Sequence, residues 1–253
     1  MRIITIVAHK GGTGKTTTAA TLAEVLAQKG NRVLCIDLND QADLSDTLGV
    51  NGDAAGTLQL FTGTPARDII QAANINNVDI IPAADNLATL DGEIPKDRKG
   101  RSFLLKAALQ PIRSRYRYCI IDAPGTFNTA FLNALSAADT VIIPALPDYY
   151  SLKGIGRLIE NIRFVQGSLN PGLKVAGILL TRYNGRRNIS KTTVETLEAA
   201  RDALGTKLFK AKIRESTKIA EAPARRETVL KYAAGSPAAA DYMEFINEFL
   251  GGK

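Results

Sequence analysis

The sequence predicts an α/β fold: a doubly wound, mainly parallel sheet flanked by helices. Two observations predict it. Short apolar runs that read as buried strands alternate with stretches of helical periodicity along the whole chain. A glycine-rich loop, Lys10-Gly11-Gly12-Thr13-Gly14-Lys15-Thr16-Thr17, sits between the first apolar run and the first helical stretch, the order of a strand, a turn and a helix N-terminus. No internal repeat, low-complexity tract or linker interrupts the alternation, so residues 1–253 are read as one domain.

Ile3 to Ala8 reads as the first buried strand, and Thr16 to Lys29 as a helix closed by Gly30. Val33 to Asp37, Val78 to Pro82, Tyr118 to Asp122, Val141 to Pro144 and Ala176 to Leu180 read as further strands. Helices are expected at Phe103 to Arg113, Thr129 to Ala137, Leu152 to Gln166, Ser190 to Leu204 and Ala239 to Leu250. Gly92 to Gly100, with Lys96, Arg98 and Lys99, is expected to be a charged, flexible loop. Two strands end in aspartate, Asp37 and Asp122, and the carboxyl ends of parallel strands border the ligand crevice.

The loop has a direct chemical reading. Glycines let successive backbone N–H groups converge on one point, which suits phosphate oxygens. The helix behind the loop adds the positive end of its dipole. Lys15 can reach β- and γ-phosphates, the Thr16 hydroxyl suits Mg²⁺, and Asp122 would approach the same ion through water. The chain is therefore read as binding a nucleoside triphosphate.

Composition narrows the setting. A formal net charge of +7 suits a polyanionic partner, or serves solubility alone. Cys35 and Cys119 lie in apolar, strand-like runs and read as small buried hydrophobes of a reducing compartment. The first strand begins directly after Met1 and no apolar run is long enough to span a bilayer, so a cytosolic location is expected. His9 has no second histidine or nucleophile beside it and is read as structural.

The lysine at the head of the loop adds a further signal. Lys10-Gly11-Gly12-Thr13-Gly14-Lys15-Thr16 resembles the deviant Walker A motif of the P-loop family that holds the ParA and Soj partition ATPases and MinD. Asp37-Leu38-Asn39-Asp40-Gln41-Ala42-Asp43-Leu44-Ser45 resembles that family's first switch, and Tyr118 to Asp122 with Ala123-Pro124-Gly125 its Walker B strand. Ile143 to Gly154, Gly177 to Thr181 and Glu221-Ala222-Pro223 continue the likeness in family order over nearly the whole chain. The chain looks most like the small, single-domain partition type without an N-terminal helix-turn-helix. Its acidic final helix differs from MinD's basic membrane-binding one, and its two cysteines do not fit an iron–sulfur pattern.

The resemblance implies ATP and Mg²⁺ as ligands, held by Lys10, Gly11, Gly12, Thr13, Gly14, Lys15, Thr16 and Thr17, with Arg214 near the base and Thr16 and Asp122 toward the metal. It implies that Lys10 reaches across a homodimer interface, and that Lys10, Lys15, Asp37 and position 39 serve hydrolysis to ADP and phosphate. Basic residues crowd the last third, and Arg186 and Lys218 align with positions that bind double-stranded DNA without sequence preference; a solvated helix face is the plain alternative. A ParB-like adaptor, a place on the nucleoid and no membrane contact complete what the likeness implies.

Three departures stand out. Asn39 replaces the aspartate that orients the attacking water, and an amide accepts a hydrogen bond from water but cannot take its proton; Asp40 and Asp43 lie nearby but off the matching position. Gly125 replaces a usual proline and is expected to loosen the second switch. Ile213-Arg214-Glu215-Ser216 replaces the common Ile-Pro-Arg-Asn near the adenine. Three functions stay open: a partition-type ATPase with weak, adaptor-stimulated turnover, a non-hydrolysing nucleotide-gated DNA scaffold, and a metabolic ligase of the same fold.

Overall fold

The computed structural model describes residues 1–50, 55–84, 86–95 and 100–251. Its strands are β1 (Arg2–Ile6), β2 (Val33–Asp37), β3 (Gln71–Ala72), β4 (Val78–Ile81), β5 (Tyr118–Asp122), β6 (Thr140–Ala145) and β7 (Lys174–Leu180). They form a seven-stranded sheet in the order β3-β4-β2-β5-β1-β6-β7, parallel except for the antiparallel β3–β4 pair. The doubly wound sheet is as expected; the short edge strand β3 and the early end of β1, at Ile6, are differences.

The longer helices are α1 (Lys15–Gln28), then, after the short helices α2 (Asp43–Thr47), α3 (Thr57–Thr62), α4 (Ala66–Ile69), α5 (Leu90–Glu93) and α6 (Leu104–Leu109), α7 (Thr129–Ala137), α8 (Tyr149–Ser168) and α9 (Asn188–Leu204). The chain closes with α10 (Thr217–Glu221), α11 (Val229–Tyr232) and α12 (Pro237–Leu250). Capping explains where several start. The Asp148 carboxylate accepts from the Ser151 N–H at 2.8 Å, so α8 begins at Tyr149, ahead of the expected Leu152. The Ser236 hydroxyl accepts from Ala239 N–H, so α12 begins at Pro237. The helix expected from Phe103 to Arg113 is α6 between two 3₁₀ turns, because Pro111 has no N–H to continue an α-helical ladder. Within the charged loop expected at 92–100, Lys96, Arg98 and Lys99 lie outside the described residues.

Both faces of the sheet are covered, which is why its strands read as nearly continuous apolar runs. Ile4, Ile6, Cys35 and Ile120 join Leu22, Leu26, Tyr242 and Phe245 of α1 and α12 in one core. Ile3, Leu34, Cys119 and Ile121 join Phe131 and Leu158 of α7 and α8 in the other. Cys35 and Cys119 are buried free thiols in opposite cores, and burial pushes both well above the usual thiol range. The final helix is core-packed, as expected; its Glu248 also accepts from the backbone N–H groups of Lys210 and Ala211, both at 3.1 Å. Those residues belong to an extended segment beside β7: Ile178 N–H donates to Lys207 O at 2.8 Å, and Ile213 N–H to Leu180 O at 2.9 Å. Among the described residues no helix is long and apolar enough to cross a membrane.

The sheet order sets the site. From β1 the chain moves to β2 on one side, while β6 lies on the other, so the topological switch point falls beside β1. There Ile6 is in register with Asp122, and Asp122 with Asp37.

Candidate functional site

The loop leaves β1 into this switch point and turns through left-handed glycines, Gly12 at φ +69° and Gly14 at φ +79°. The left-handed φ is what calls for glycine at 14, since a Cβ there would meet Thr181 Cγ2 at 3.6 Å and the Tyr242 hydroxyl at 3.7 Å, ordinary contact distances. Thr181 braces the turn, its hydroxyl donating to Thr13 O at 2.9 Å. Thr18 Oγ and Tyr242 OH, 3.4 Å apart, tie α12 to the start of α1. Gly11, Gly12, Gly14, Lys15, Thr16 and Thr17 line a cavity of about 630 Å³, with Asn39 at its margin. Thr13 is buried behind the loop, its hydroxyl donating to Lys10 O.

Two carboxylates sit beneath. Asp122 is fully buried; its Oδ2 accepts from Thr16 Oγ at 2.6 Å, and its Oδ1 has no hydrogen-bond partner among the described residues. Burial raises its pKa, and Asp37 raises it further, against the Thr16 hydroxyl, the Lys15 charge and the Asn39 amide. Asp37 is buried as well and raised by burial, while Ser45 and Asn39 hold it down. Its Oδ2 accepts from Ser45 N–H at 2.9 Å and Ser45 Oγ at 2.8 Å, and its Oδ1 from Asn39 N–H at 3.1 Å. Asp37 therefore braces the first switch. Lys15 also bears on Asp43, at the start of α2.

The donor set fits Mg²⁺. An unpartnered, buried carboxylate oxygen beside a threonine hydroxyl matches a hard cation that keeps several waters and shares phosphate oxygens. No cluster of three or more His, Cys, Asp or Glu side chains placed to hold a metal occurs among the described residues.

Other expected residues lie elsewhere. Lys10 does not line the cavity; its Nζ pairs with Asp148 at 3.0 Å and lies 6.0 Å from the Tyr150 ring. Arg214, expected near the base, has its side chain turned away from this cavity. Along an extended segment side chains alternate, so Ile213 and Glu215 face the cavity, and Arg214 turns to Asp241 with two 2.7 Å hydrogen bonds. It lines a neighbouring cleft of about 520 Å³ together with Arg186, Lys210 and Lys212. Arg186 has no ion pair among the described residues, whereas Lys218 pairs with Glu221 at 2.9 Å. The sequence assigns no role to Thr181, the end of the family-like run from Gly177, or to Tyr242. Thr181 ends a parallel strand, a position that could have flagged it; Tyr242 gave no signal, being 224 residues from the threonine it meets. His9 lies against α8, where a Cβ on Gly154 would come within 3.2 Å of its ring, in keeping with a structural part.

Gly125 lets the second switch lie directly on the loop: a Cβ would lie 2.2 Å from Ala8 O and 3.0 Å from His9 O.

A triphosphate-sized cavity, a glycine nest with a lysine, and a buried carboxylate beside a threonine hydroxyl at the switch point of this sheet belong to the P-loop nucleoside triphosphatases. A family model described as an AAA domain matches residues 1–175. The chain is 34% identical over 250 residues to the sporulation initiation inhibitor protein Soj of Bacillus subtilis, covering 98% of this chain and 97% of that protein. Apo McdA from Cyanothece superposes with a TM-score of 0.89 at 26% identity, covering 99% and 100% of the two chains. Cobyrinic acid a,c-diamide synthase from Mycobacterium smegmatis, bound to an ATP analog and magnesium, gives 0.86 at 27% identity over 99% and 94%. The chain belongs to the ParA/Soj-type family of P-loop ATPases.

Gly125→Ala is expected to destabilise the fold by about 1–3 kcal/mol, the usual range for overpacking, and to weaken binding of ATP with Mg²⁺. Urea unfolding and calorimetry check this; an unchanged midpoint would show that the second switch does not rest on the loop.

Proposed function

We propose that this chain is a partition-type ATPase that dimerises around ATP and Mg²⁺, holds double-stranded DNA without sequence preference, and positions a DNA or other cargo under a ParB-like adaptor. The observation that carries this reading is the separation of the two loop lysines. Lys15 lines its own cavity, while Lys10 stands at the surface, 44% exposed, beside Tyr149 and Tyr150 at 66% and 73%. A cation turned from its own cavity toward Asp148, set beside exposed aromatics, suits a second copy of the chain and that copy's nucleotide. Thr16 and Asp122 would hold Mg²⁺, which would supply neutralisation of phosphate charge when bound. The chain's own groups do the rest: loop N–H groups and Lys15 bind phosphate, and Asn39 accepts a hydrogen bond from the water that attacks in line.

DNA holding draws on the basic last third. Arg186, Lys210 and Lys212 share one cleft, where none of the three forms an ion pair among the described residues, and cations on a common surface favour phosphate contacts with counterion release. Asn39 favours one second reading, a nucleotide-gated DNA scaffold that turns over too slowly for ATP loss to matter. The likeness to a cobyrinic acid synthase weighs less for a ligase, because the partition relatives match at higher identity.

Lys10→Ala should leave ATP affinity within about tenfold of the parent and abolish the ATP-dependent dimer, since the missing charge acts between subunits. Light scattering with ATP decides, and a persistent dimer would remove the bridging role. Arg186→Glu with Lys218→Glu should abolish binding to random-sequence duplex while the dimer survives, with each lost phosphate contact flattening the salt slope by about one. Unchanged binding would place the DNA surface elsewhere. Asn39→Asp should raise single-turnover hydrolysis, positioned bases contributing about 10²- to 10⁴-fold. Equal rates in parent and variant would show that Asn39 is no impediment.

A further inference from the structure

Past the phosphate loop, the nucleotide cavity continues between Arg182, Glu215 and the apolar surfaces of Ile219 and Pro223. Arg182 follows Thr181, the residue that braces Thr13, so its backbone is tied to the loop. Its φ is +48°, a left-handed conformation that residues with a Cβ resist. Neighbouring bonds hold it there: Thr181 N–H donates to Ala145 O and Tyr183 N–H to Ile213 O, both at 2.9 Å. Unfavourable backbone kept by its surroundings at a ligand cavity asks for a purpose.

The side chain supplies one. Arg182 Nη2 donates to Glu215 Oε1 and Arg187 Nη2 to Glu215 Oε2, both at 3.1 Å, so one carboxylate serves two guanidiniums. The arginines are each 59% exposed and Glu215 38%, which leaves the pairing screened by water and inexpensive to exchange. If Arg182 leaves, Arg187 still neutralises Glu215. The phosphates already have Lys15, the loop N–H groups and the α1 N-terminus, whereas the far part of the cavity offers apolar surface and one planar cation. A guanidinium stacks on aromatic faces. The family run would put arginine at position 215; here 215 is acidic, and the cation comes from 182.

We infer that Arg182 is a nucleotide-binding residue whose guanidinium exchanges Glu215 for the face of the purine base. This rests on the nucleotide reading of the cavity proposed above.

Arg182→Asn is the test variant, because asparagine tolerates the left-handed backbone. Dissociation constants are measured with Mg²⁺ for ATP, ADP and inorganic tripolyphosphate, the last by competition with a fluorescent ATP analogue. ATP and ADP should both weaken by about 3- to 30-fold, the range of a cation–π contact, with tripolyphosphate unchanged. Equal weakening of all three would assign Arg182 to phosphate and overturn the inference, as would unchanged ATP affinity. Glu215→Gln should keep or raise ATP affinity; a loss matching that of Arg182→Asn would make the pair purely structural and also overturn it. Should the asparagine variant fail to fold, Arg182→Lys, which keeps the charge and loses the plane, is expected to give the same split between nucleotides and tripolyphosphate. A parent that binds none of the three ligands would overturn the nucleotide reading itself, which keeps the two failures apart.

Discussion

Parallel strands in register deliver their last residues side by side, and in this chain that brings Asp37, Asp122 and the exit of β1 into one row. Two fully buried carboxylates on neighbouring strands lose hydration and repel each other, so the groups around them are arranged to compensate. Ser45 and the Asn39 backbone turn toward Asp37, which shapes the first switch. Thr16 turns toward Asp122, which sets the first turn of α1 against the sheet. Ser45 Oγ in turn accepts from Ala83 N–H at 3.0 Å, carrying the arrangement to the end of β4. One acceptor, Asp122 Oδ1, is left over among the described residues, and its chemistry suits a phosphate-bound cation.

Within that arrangement the two switch departures acquire a common sense. An aspartate at position 39 would add a third carboxylate beside a pair that burial already disfavours; asparagine instead contributes an amide that helps keep Asp122 ionised. A residue larger than glycine at 125 would lift the second switch off Ala8 O. Asparagine at 39 keeps a third negative charge away from the buried pair, and glycine at 125 lets the second switch lie close against the loop.

Much of this was legible because its causes are local. The loop's glycines and lysines, the apolar strand runs ending in Asp37 and Asp122, and the helix α1 closed by Gly30 follow from short-range rules, and the parallel strands of the sheet came out as read, apart from the early end of β1. What escaped depends on long-range contacts. Arg214 lies where the motif suggested, but strand alternation turned its side chain to Asp241, a partner on α12 that no spacing reveals. Tyr242 reaches the loop from the same helix, and Arg182 owes its conformation to carbonyls of two other segments. Helix starts were misplaced where caps, such as Asp148 and Ser236, extended them beyond the apolar periodicity.

The treatment of the sheet's margins has its own consequence. On one side the sheet stops at β3, two residues long and antiparallel to its neighbour; on the other the extended segment through Phe209 and Ile213 uses the hydrogen-bonding groups of β7. Neither margin presents a long row of free backbone donors and acceptors, the feature that lets sheets of separate molecules fuse end to end. The described margins of the sheet thereby give separate copies little backbone on which to add strand to strand, and the business end of the sheet is its row of loops at the carboxyl ends of the strands.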